Sequence, residues 1–175
     1  MSQSLNWVLA GINQKPFPDV LELGTRRWRE DKPTHRAALI PEYKSYIMSD
    51  FMEGLDVDVI ADAHELSKHF EPESFDLIWG FSLFEHLKKP WIAAQEICKI
   101  LKPGGYFFFQ THHTFPIHGY PNDYFRYNTE GLESLFDWAS ELKSDYMYPC
   151  TIVTDEPEKI VRVPAYLNSN VGGKK

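Results

Sequence analysis

Four short apolar runs, each closed by an acidic residue or a glycine, recur along the chain, and a fifth run is almost entirely aromatic. They lie at residues 20–24, 46–50, 57–62, 74–80 and 106–110. A short apolar run between turn residues is typical of a buried strand, and the connections are long enough for crossovers. The pattern predicts a parallel sheet, with ligands bound beyond the carboxyl ends of its strands.

Helical spacing of apolar side chains appears before and after these runs. Residues 4–12 predict a helix capped by Ser2 or Ser4, because serine hydroxyls accept hydrogen bonds from the first turn. Residues 90–101 and 129–138 predict two further helices. The alternation of strands and helices indicates an α/β domain.

The last part of the chain has a different pattern. Residues 145–153 and 159–167 predict two strands that pair antiparallel around a turn at 155–157. The final segment, residues 171–175, predicts a frayed tail.

Composition excludes several classes of function. The formal net charge of −7 opposes binding to nucleic acid, and no run of about eighteen apolar residues is present for a membrane span. The N terminus lacks the basic and apolar regions of a secretion signal, and Cys98 and Cys150 fit free thiols in a reducing compartment. We expect a cytoplasmic monomer or homodimer with no nucleic-acid or membrane partner.

Aromatic residues are numerous, with 12 Phe, 9 Tyr and 5 Trp, and many of them lie between residues 106 and 127. Aromatic side chains in this number either line an apolar pocket for an organic ligand or fill the core. Both interpretations stay open. The segment 111–128 also lacks periodicity, which is typical of a functional loop when disorder is excluded by aromatic content.

Five segments resemble, in order and spacing, the class I S-adenosylmethionine-dependent methyltransferases, and within them the small methyltransferase-domain group. The segments are VLELG (20–24), YIMSD (46–50), VIADAHEL (59–66), SFDLIWGFSLFEHL (74–87) and EICKILKPGGYFFFQ (96–110), which cover most of residues 19–136. The resemblance implies an α/β, Rossmann-like fold. Its sheet would have seven strands, mostly parallel with the last strand antiparallel, and helices on both faces.

The resemblance also implies how the chain is divided. Residues 1–175 would form a single methyltransferase-like domain. Its parts would be an N-terminal helix and linker at 1–17, a cofactor-binding core at 18–140 and a final strand pair at 141–170.

The cofactor implied by the resemblance is S-adenosyl-L-methionine. Asp50 would bind the ribose hydroxyls and Asp62 the adenine amine, although Asp50 could be a turn residue and Asp62 could cap a helix beginning near Glu65. Glu22 would anchor the first loop. The full set of predicted cofactor residues is Glu22, Gly24, Thr25, Arg26, Asp50, Phe51, Asp62, Ala63, His64, Gly80, Phe81 and Ser82.

The chain departs from the family in its first loop. Family members usually carry a glycine-rich GxGxG turn, which lets the backbone approach the cofactor closely. Here Gly24 is followed by Thr25, Arg26 and Arg27, so a single glycine remains. Arg26 or Arg27 could pair with the methionine carboxylate instead, while both could also be solvated surface groups.

Candidate catalytic residues lie beyond the fifth strand, in THHTFPIHGYPNDYFRY (111–127). Transfer of a methyl group to a hydroxyl needs a base, and histidine suits this role because its ordinary pKa lies near neutrality. We predict His113 or His118 as the base, with His112 next. The residues predicted to bind the acceptor are Tyr120, Asp123, Tyr124 and Arg126.

Two further interpretations concern a metal site in this segment and a catalytic pair that precedes it. Three histidines and Asp123 could bind a divalent metal, as in some sugar and catechol methyltransferases, but the spacing matches no zinc signature and we predict no metal ligand. Glu85 and His86 resemble a catalytic couple, although the family commonly carries this pair as structure around the cofactor loop.

The sequence predicts an S-adenosylmethionine-dependent methyltransferase that acts on an oxygen or nitrogen of a small molecule, such as a sugar or natural product. The degraded glycine loop leaves an alternative, a weak or inactive cofactor-binding module with a regulatory or partner-binding role. Methylation of a protein or RNA is a third interpretation, which the negative charge and the lack of additional segments disfavour.

Overall fold

A computed structural model describes residues 2–119, 121–152 and 163–175. Within them, seven strands form one sheet in the order β3-β2-β1-β4-β5-β7-β6. Only β7 runs antiparallel to its neighbours, β5 and β6, so the predicted fold class is confirmed. The strands are β1 (Asp19–Leu23), β2 (Ser45–Asp50), β3 (Val59–Ile60), β4 (Phe75–Phe81), β5 (Leu101–His112), β6 (Glu141–Ile152) and β7 (Val163–Lys174).

Helices cover both faces of the sheet. The first, α1 (Gln3–Ile12), is capped by the Ser2 hydroxyl, which accepts the N–H of Leu5, and it packs on one face. The second and third, α2 (Pro90–Ile100) and α3 (Thr129–Glu133), pack on the other. The predicted third helix is shorter than expected, because a 3-10 turn replaces it after Glu133. None of the described helices is long and apolar enough to cross a membrane.

The centre of the sheet is β1, which pairs with β2 on one side and β4 on the other. Leu23 is level with Ser49 and with Gly80 across these two pairs. The three strands therefore end together, and the chain changes direction across the sheet at this point. Such a switch point leaves a crevice beyond the carboxyl ends of the strands.

The C-terminal tail is not frayed, and that prediction is wrong. β7 continues to Lys174 and pairs with both β5 and β6. A Cβ atom on Gly172 would lie 2.7 Å from Val8 of α1, and one on Gly173 would lie 2.4 Å from the ring of Phe107. Gly172 and Gly173 are therefore required for close packing inside the sheet.

Strand β5 is longer than predicted and includes Thr111 and His112, which pair with Ser169 and Asn168 of β7. The predicted loop thus begins two residues later, at His113, and His112 is held in the sheet by its pairing with β7. The final antiparallel pair is confirmed, while the turn predicted at 155–157 lies outside the described residues.

Candidate active site

A crevice of about 690 Å³ opens beyond the carboxyl ends of β1, β2 and β4, a volume typical of small-molecule sites. One wall is formed by the strand ends and the other by the segment that follows β5. The predicted site residues that line it are Glu22, Gly24, Arg26, Asp50, Phe51, Asp62, Ala63, His64, Phe81, Ser82, His112, His118 and Tyr124. Tyr120 lies outside the described residues.

The first loop turns at Gly24, whose φ of 76° lies in the left-handed region that favours glycine. The Gly24 N–H donates to the carbonyl of Ser49 at 2.8 Å, and the Thr25 hydroxyl donates to the carbonyl of Asp56 at 2.6 Å. Thr25 is only 1% exposed and does not line the crevice. It fixes the loop against β2, a role that the prediction of a cofactor contact had missed.

Glu22, on β1, holds the segment at Arg36 and the neighbouring strand β2. Its Oε2 accepts the N–H of Arg36 at 2.8 Å and the hydroxyl of Tyr46, which in turn accepts the indole N–H of Trp79 at 3.1 Å. Burial raises the pKa of Glu22 from 4.5 to about 7, although these hydrogen bonds oppose the shift. These partners lie outside the first loop, so the anchoring of that loop predicted for Glu22 stays a prediction.

The raised pKa of Glu22 makes stability depend on pH. The native state binds this proton more tightly than the unfolded chain, so the contribution is full below pH 4.5 and lost as pH rises to about 7. The free energy of unfolding should fall by about 3 kcal/mol over this window from Glu22 alone. Urea titrations of Glu22→Gln at several pH values should lack this fall in the free energy of unfolding. Parallel curves for the two proteins would contradict the assignment.

The two arginines of the loop have different partners. Arg27 forms a bidentate pair with Asp56, with both N···O distances at 2.8 Å, and does not line the crevice. Arg26 lines the crevice, and its backbone N–H donates to Oδ2 of Asp50 at 3.2 Å while its Nε lies 4.0 Å from Oδ1. Of these two arginines, Arg26 is therefore the one available to a ligand, and Arg27 stabilises the loop.

The two carboxylates beyond β2 and β3 are held by short local hydrogen bonds. Oδ1 of Asp50 accepts the N–H of Met52 at 3.0 Å. Oδ1 of Asp62 accepts both the backbone N–H of His64 at 2.9 Å and, at 2.6 Å, its ring Nδ1. Burial alone would raise the pKa of Asp62, but the bonds from His64 lower it. Both aspartates are thus turn residues whose carboxylates also line the crevice.

Of the three cofactor residues predicted at the end of β4, two line the crevice and one does not. Phe81 and Ser82 line the crevice, and Ser82 has a φ of 53°, an uncommon value for a residue with a side chain. Gly80 does not line it. A Cβ atom there would lie 3.1 Å from both the Leu23 carbonyl and the Phe109 ring, so Gly80 serves packing instead.

The segment after β5 folds back over the crevice because Glu85 and Asp123 hold it. The Glu85 carbonyl accepts the N–H groups of Tyr124 and Phe125 at 2.8 and 3.2 Å. Asp123 accepts two hydrogen bonds from the Arg126 guanidinium, at 2.5 and 2.6 Å, which hold its pKa well below the ordinary value. Neither Asp123 nor Arg126 lines the crevice, so the predicted acceptor contacts are structural.

The three histidines predicted as candidate bases do not all line the crevice. His113 does not line the crevice, since its Nδ1 faces the Tyr127 carbonyl at 2.9 Å and its ring packs on Tyr146. His112 and His118 line it together, with ring centroids 5.1 Å apart. Burial lowers the pKa of His112, which favours the neutral form of the ring.

Several lining residues were missed. Trp28, Arg36, Lys88, Gln110 and Phe115 line the crevice, and none of them was predicted as a site residue. His86 was considered only as part of the Glu85–His86 pair, and its ring centroid lies 4.9 Å from that of His118. His86 lies five residues after β4 ends at Phe81, and a histidine this close to the end of a buried strand was the one available signal.

Comparisons with known proteins agree with this geometry. A family model described as a methyltransferase domain matches residues 45–109, from β2 into β5. No curated protein matches the chain.

Three solved structures are similar in fold. A SAM-dependent methyltransferase from Archaeoglobus fulgidus has a TM-score of 0.68 and 15% identity, over 98% of this chain and 91% of that one. One from Mesorhizobium loti has a TM-score of 0.61 and 15% identity, over 99% and 98%. Phosphoethanolamine N-methyltransferase 2 of Haemonchus contortus, in complex with S-adenosyl-L-methionine, has a TM-score of 0.56 and 19% identity, over 81% and 38%.

Proposed function

We propose that the chain is a class I S-adenosylmethionine-dependent methyltransferase, which the domain match over residues 45–109 and the fold support. The acceptor is a small molecule of the sugar or natural-product kind, methylated on oxygen or nitrogen. One observation carries the proposal: a single crevice is lined both by the strand-end carboxylates and by His112 and His118.

The strand-end half of the crevice fits the cofactor. Each Asp50 oxygen accepts one backbone N–H, so each keeps a lone pair for a ribose hydroxyl. Oδ1 of Asp62 takes both bonds from His64, which leaves Oδ2 for the adenine amine. Gly24 presents its backbone to the crevice with no side chain in the way. Arg26 supplies the positive charge that the methionine carboxylate needs.

The other half fits a polar organic acceptor. Gln110 and Tyr124 offer hydrogen-bonding groups, and Phe115 stacks on the ring of His112 at a centroid distance of 4.1 Å. The crevice, of about 690 Å³, must hold both ligands, which favours a small acceptor over a macromolecule. Polar groups around aromatic walls are typical of sites that orient hydroxylated or amine-bearing ligands.

The bound cofactor supplies an electrophilic methyl group on a sulfonium. The residues of the chain position the acceptor and activate its nucleophilic atom, which is how an in-line displacement is accelerated. A neutral imidazole offers a lone pair for this purpose, and His112, whose neutral form is favoured by burial, lies at the end of β5 and lines the crevice. His118 offers a second ring nitrogen from the opposite segment.

The test combines binding and turnover. Isothermal titration calorimetry should show S-adenosylmethionine binding to the purified chain. Formation of S-adenosylhomocysteine should then be measured against a panel of small sugars, phenols, hydroxy acids and amines, with the enzyme-free mixture as control. Product from at least one hydroxyl or amine acceptor, identified by mass, supports the proposal.

Two results would contradict it. Cofactor binding with no product from any acceptor would favour the inactive binding module. Product that appears only when protein or RNA is supplied would indicate a macromolecular acceptor.

A further inference from the structure

We propose that Glu85, His112 and His118 form a site for one divalent transition-metal ion at the acceptor end of the crevice. The inference rests on the proposed function only in assigning the ion a role, the activation of the acceptor. The site itself follows from the positions of these three side chains.

The three residues bring their donor atoms together from distant parts of the chain. One donor atom from each lies within 4.8 Å of the other two. Oε1 of Glu85 and Nε2 of His112 are 3.2 Å apart. Metal–ligand bonds of about 2.0–2.1 Å place two ligands of a tetrahedral ion about 3.3 Å apart, so this pair has the spacing of two ligands on one ion. His118, on the irregular segment, is the ligand with room to adjust.

The carboxylate of Glu85 needs a cation. Its side chain is fully buried, and Oε2 accepts the Thr111 hydroxyl at 2.7 Å. Oε1 has no hydrogen-bond partner among the described residues, although His112 is close. Nε2 of His112 is therefore not directed at Oε1 of Glu85 as a hydrogen-bond donor. An unpaired buried carboxylate oxygen is costly, and an ion held between Oε1 and the two rings removes the cost.

Both imidazoles already have acceptors at the nitrogen on the other side of the ring. Nδ1 of His112 faces Oδ1 of Asn168 at 3.1 Å. Nδ1 of His118 faces the Pro116 carbonyl and Oδ2 of Asp123, each at 3.2 Å. An Nδ1–H donated to these oxygens leaves the Nε2 lone pair free in both rings. Metal-binding histidines are oriented by this kind of partner.

Asp123 and His86 lie beside the site, and each has a partner of its own. Asp123 is paired with Arg126, so it serves as a hydrogen-bond acceptor for His118 and not as a ligand. His86 places Nε2 3.8 Å from Oε1 of Glu85, while its Nδ1 faces the Asn122 carbonyl at 2.6 Å. A protonated histidine beside Glu85 would be the rival to a metal ion, and the experiment separates the two.

The donor set indicates both the ion and the acceptor. Two imidazoles and one carboxylate suit Zn²⁺, Mn²⁺, Fe²⁺ and Co²⁺ and leave coordination positions open. Because His112 and His118 line the crevice, an acceptor hydroxyl can reach such a position. Coordination favours loss of the hydroxyl proton to solvent water. The acceptor class is therefore a small molecule with an oxygen atom that can coordinate the ion.

The test uses tag-free full-length protein that has been stripped with a chelator and dialysed. Co²⁺ is titrated while visible absorption is recorded, and Zn²⁺ is titrated by calorimetry. We expect one ion per chain and a new cobalt absorption band. His118→Ala should weaken binding about 100-fold, and Asn168→Ala, which removes only the acceptor for Nδ1, about tenfold. His69→Ala, on an exposed histidine outside the crevice, is the matched control and should bind as the parent does.

The outcomes distinguish this proposal from the proposed function. Absence of stoichiometric binding, or binding unchanged in His118→Ala, would overturn the metal site. Cofactor binding and full turnover in the presence of chelator would also overturn it while leaving the proposed function intact. Metal binding without product from any acceptor would support the site and count against the proposed function alone. Circular dichroism of each variant confirms that it is folded.

Discussion

Asp50→Ala is expected to weaken S-adenosylmethionine binding about 1,000-fold, because two hydrogen bonds to a charged carboxylate are worth about 1.5–3 kcal/mol each. The side chain lies at the carboxyl end of β2 and is 10% exposed, with one lone pair on each oxygen not used by Arg26 or Met52. A ribose diol would use both of these. Calorimetric titration of the cofactor measures the effect directly.

The same substitution also removes two backbone hydrogen bonds, so loop disorder must be separated from a lost ligand contact. Asp50→Asn keeps an oxygen for one of the backbone N–H groups and should bind with intermediate affinity. Asp31→Ala is the matched control, since Asp31 is exposed and pairs only with Arg29 on the surface. If the Asp50→Ala chain melts normally and binds the cofactor like the parent, Asp50 does not bind the ribose.

The order of strands and the place of the crevice follow from local sequence. Each parallel strand is a short apolar run with a turn residue at its end, and this pattern is set by burial on both faces. Asp50, Asp62 and Gly24 follow such runs directly. Because parallel strands end at the same edge of a sheet, their convergence could be predicted without any knowledge of long-range contacts.

The acceptor end could not be predicted in the same way. Glu85, His112 and His118 come together because the segment after β5 folds back onto the Glu85 carbonyl, and nothing in the spacing of the histidines records that contact. His112 and His113 are adjacent in sequence, but His112 is the last residue of β5, paired with Asn168 of β7, and His113 begins the irregular segment. One lines the crevice and the other does not.

The aromatic residues show a second feature that could not be predicted from the sequence. The sequence left open whether they line a pocket or fill the core, and the structure shows both. Phe107, Phe108 and Phe109 are fully buried in β5, whereas Phe115 and Tyr124 line the crevice. The division depends on where β5 ends, which pairing with β7 decides, and that pairing involves residues about sixty positions later.

Phe136→Ala is expected to lower the free energy of unfolding by about 3–5 kcal/mol, the cost of an unfilled cavity left by a large core side chain. Phe136 is fully buried, stacks on Phe107 with a centroid distance of 4.6 Å and lies parallel to Phe109 at 5.7 Å. It also contacts the ring of Phe84, which directly precedes Glu85. Urea titration at low temperature measures the loss.

The cluster formed by Phe84, Phe107, Phe109 and Phe136 supports the turn that carries Glu85. Disruption of this cluster should therefore disturb the acceptor end of the crevice more than the cofactor end. In the folded fraction of Phe136→Ala, we expect cofactor affinity to be retained, because Asp50 and Gly24 are held by β1 and β2. Phe136→Leu refills much of the space and should lose less stability. Phe17→Ala, on a side chain that is 60% exposed, should change stability by no more than about 0.5 kcal/mol. Equal losses for Phe136→Ala and Phe17→Ala would show that the cluster does not contribute to the core as the packing implies.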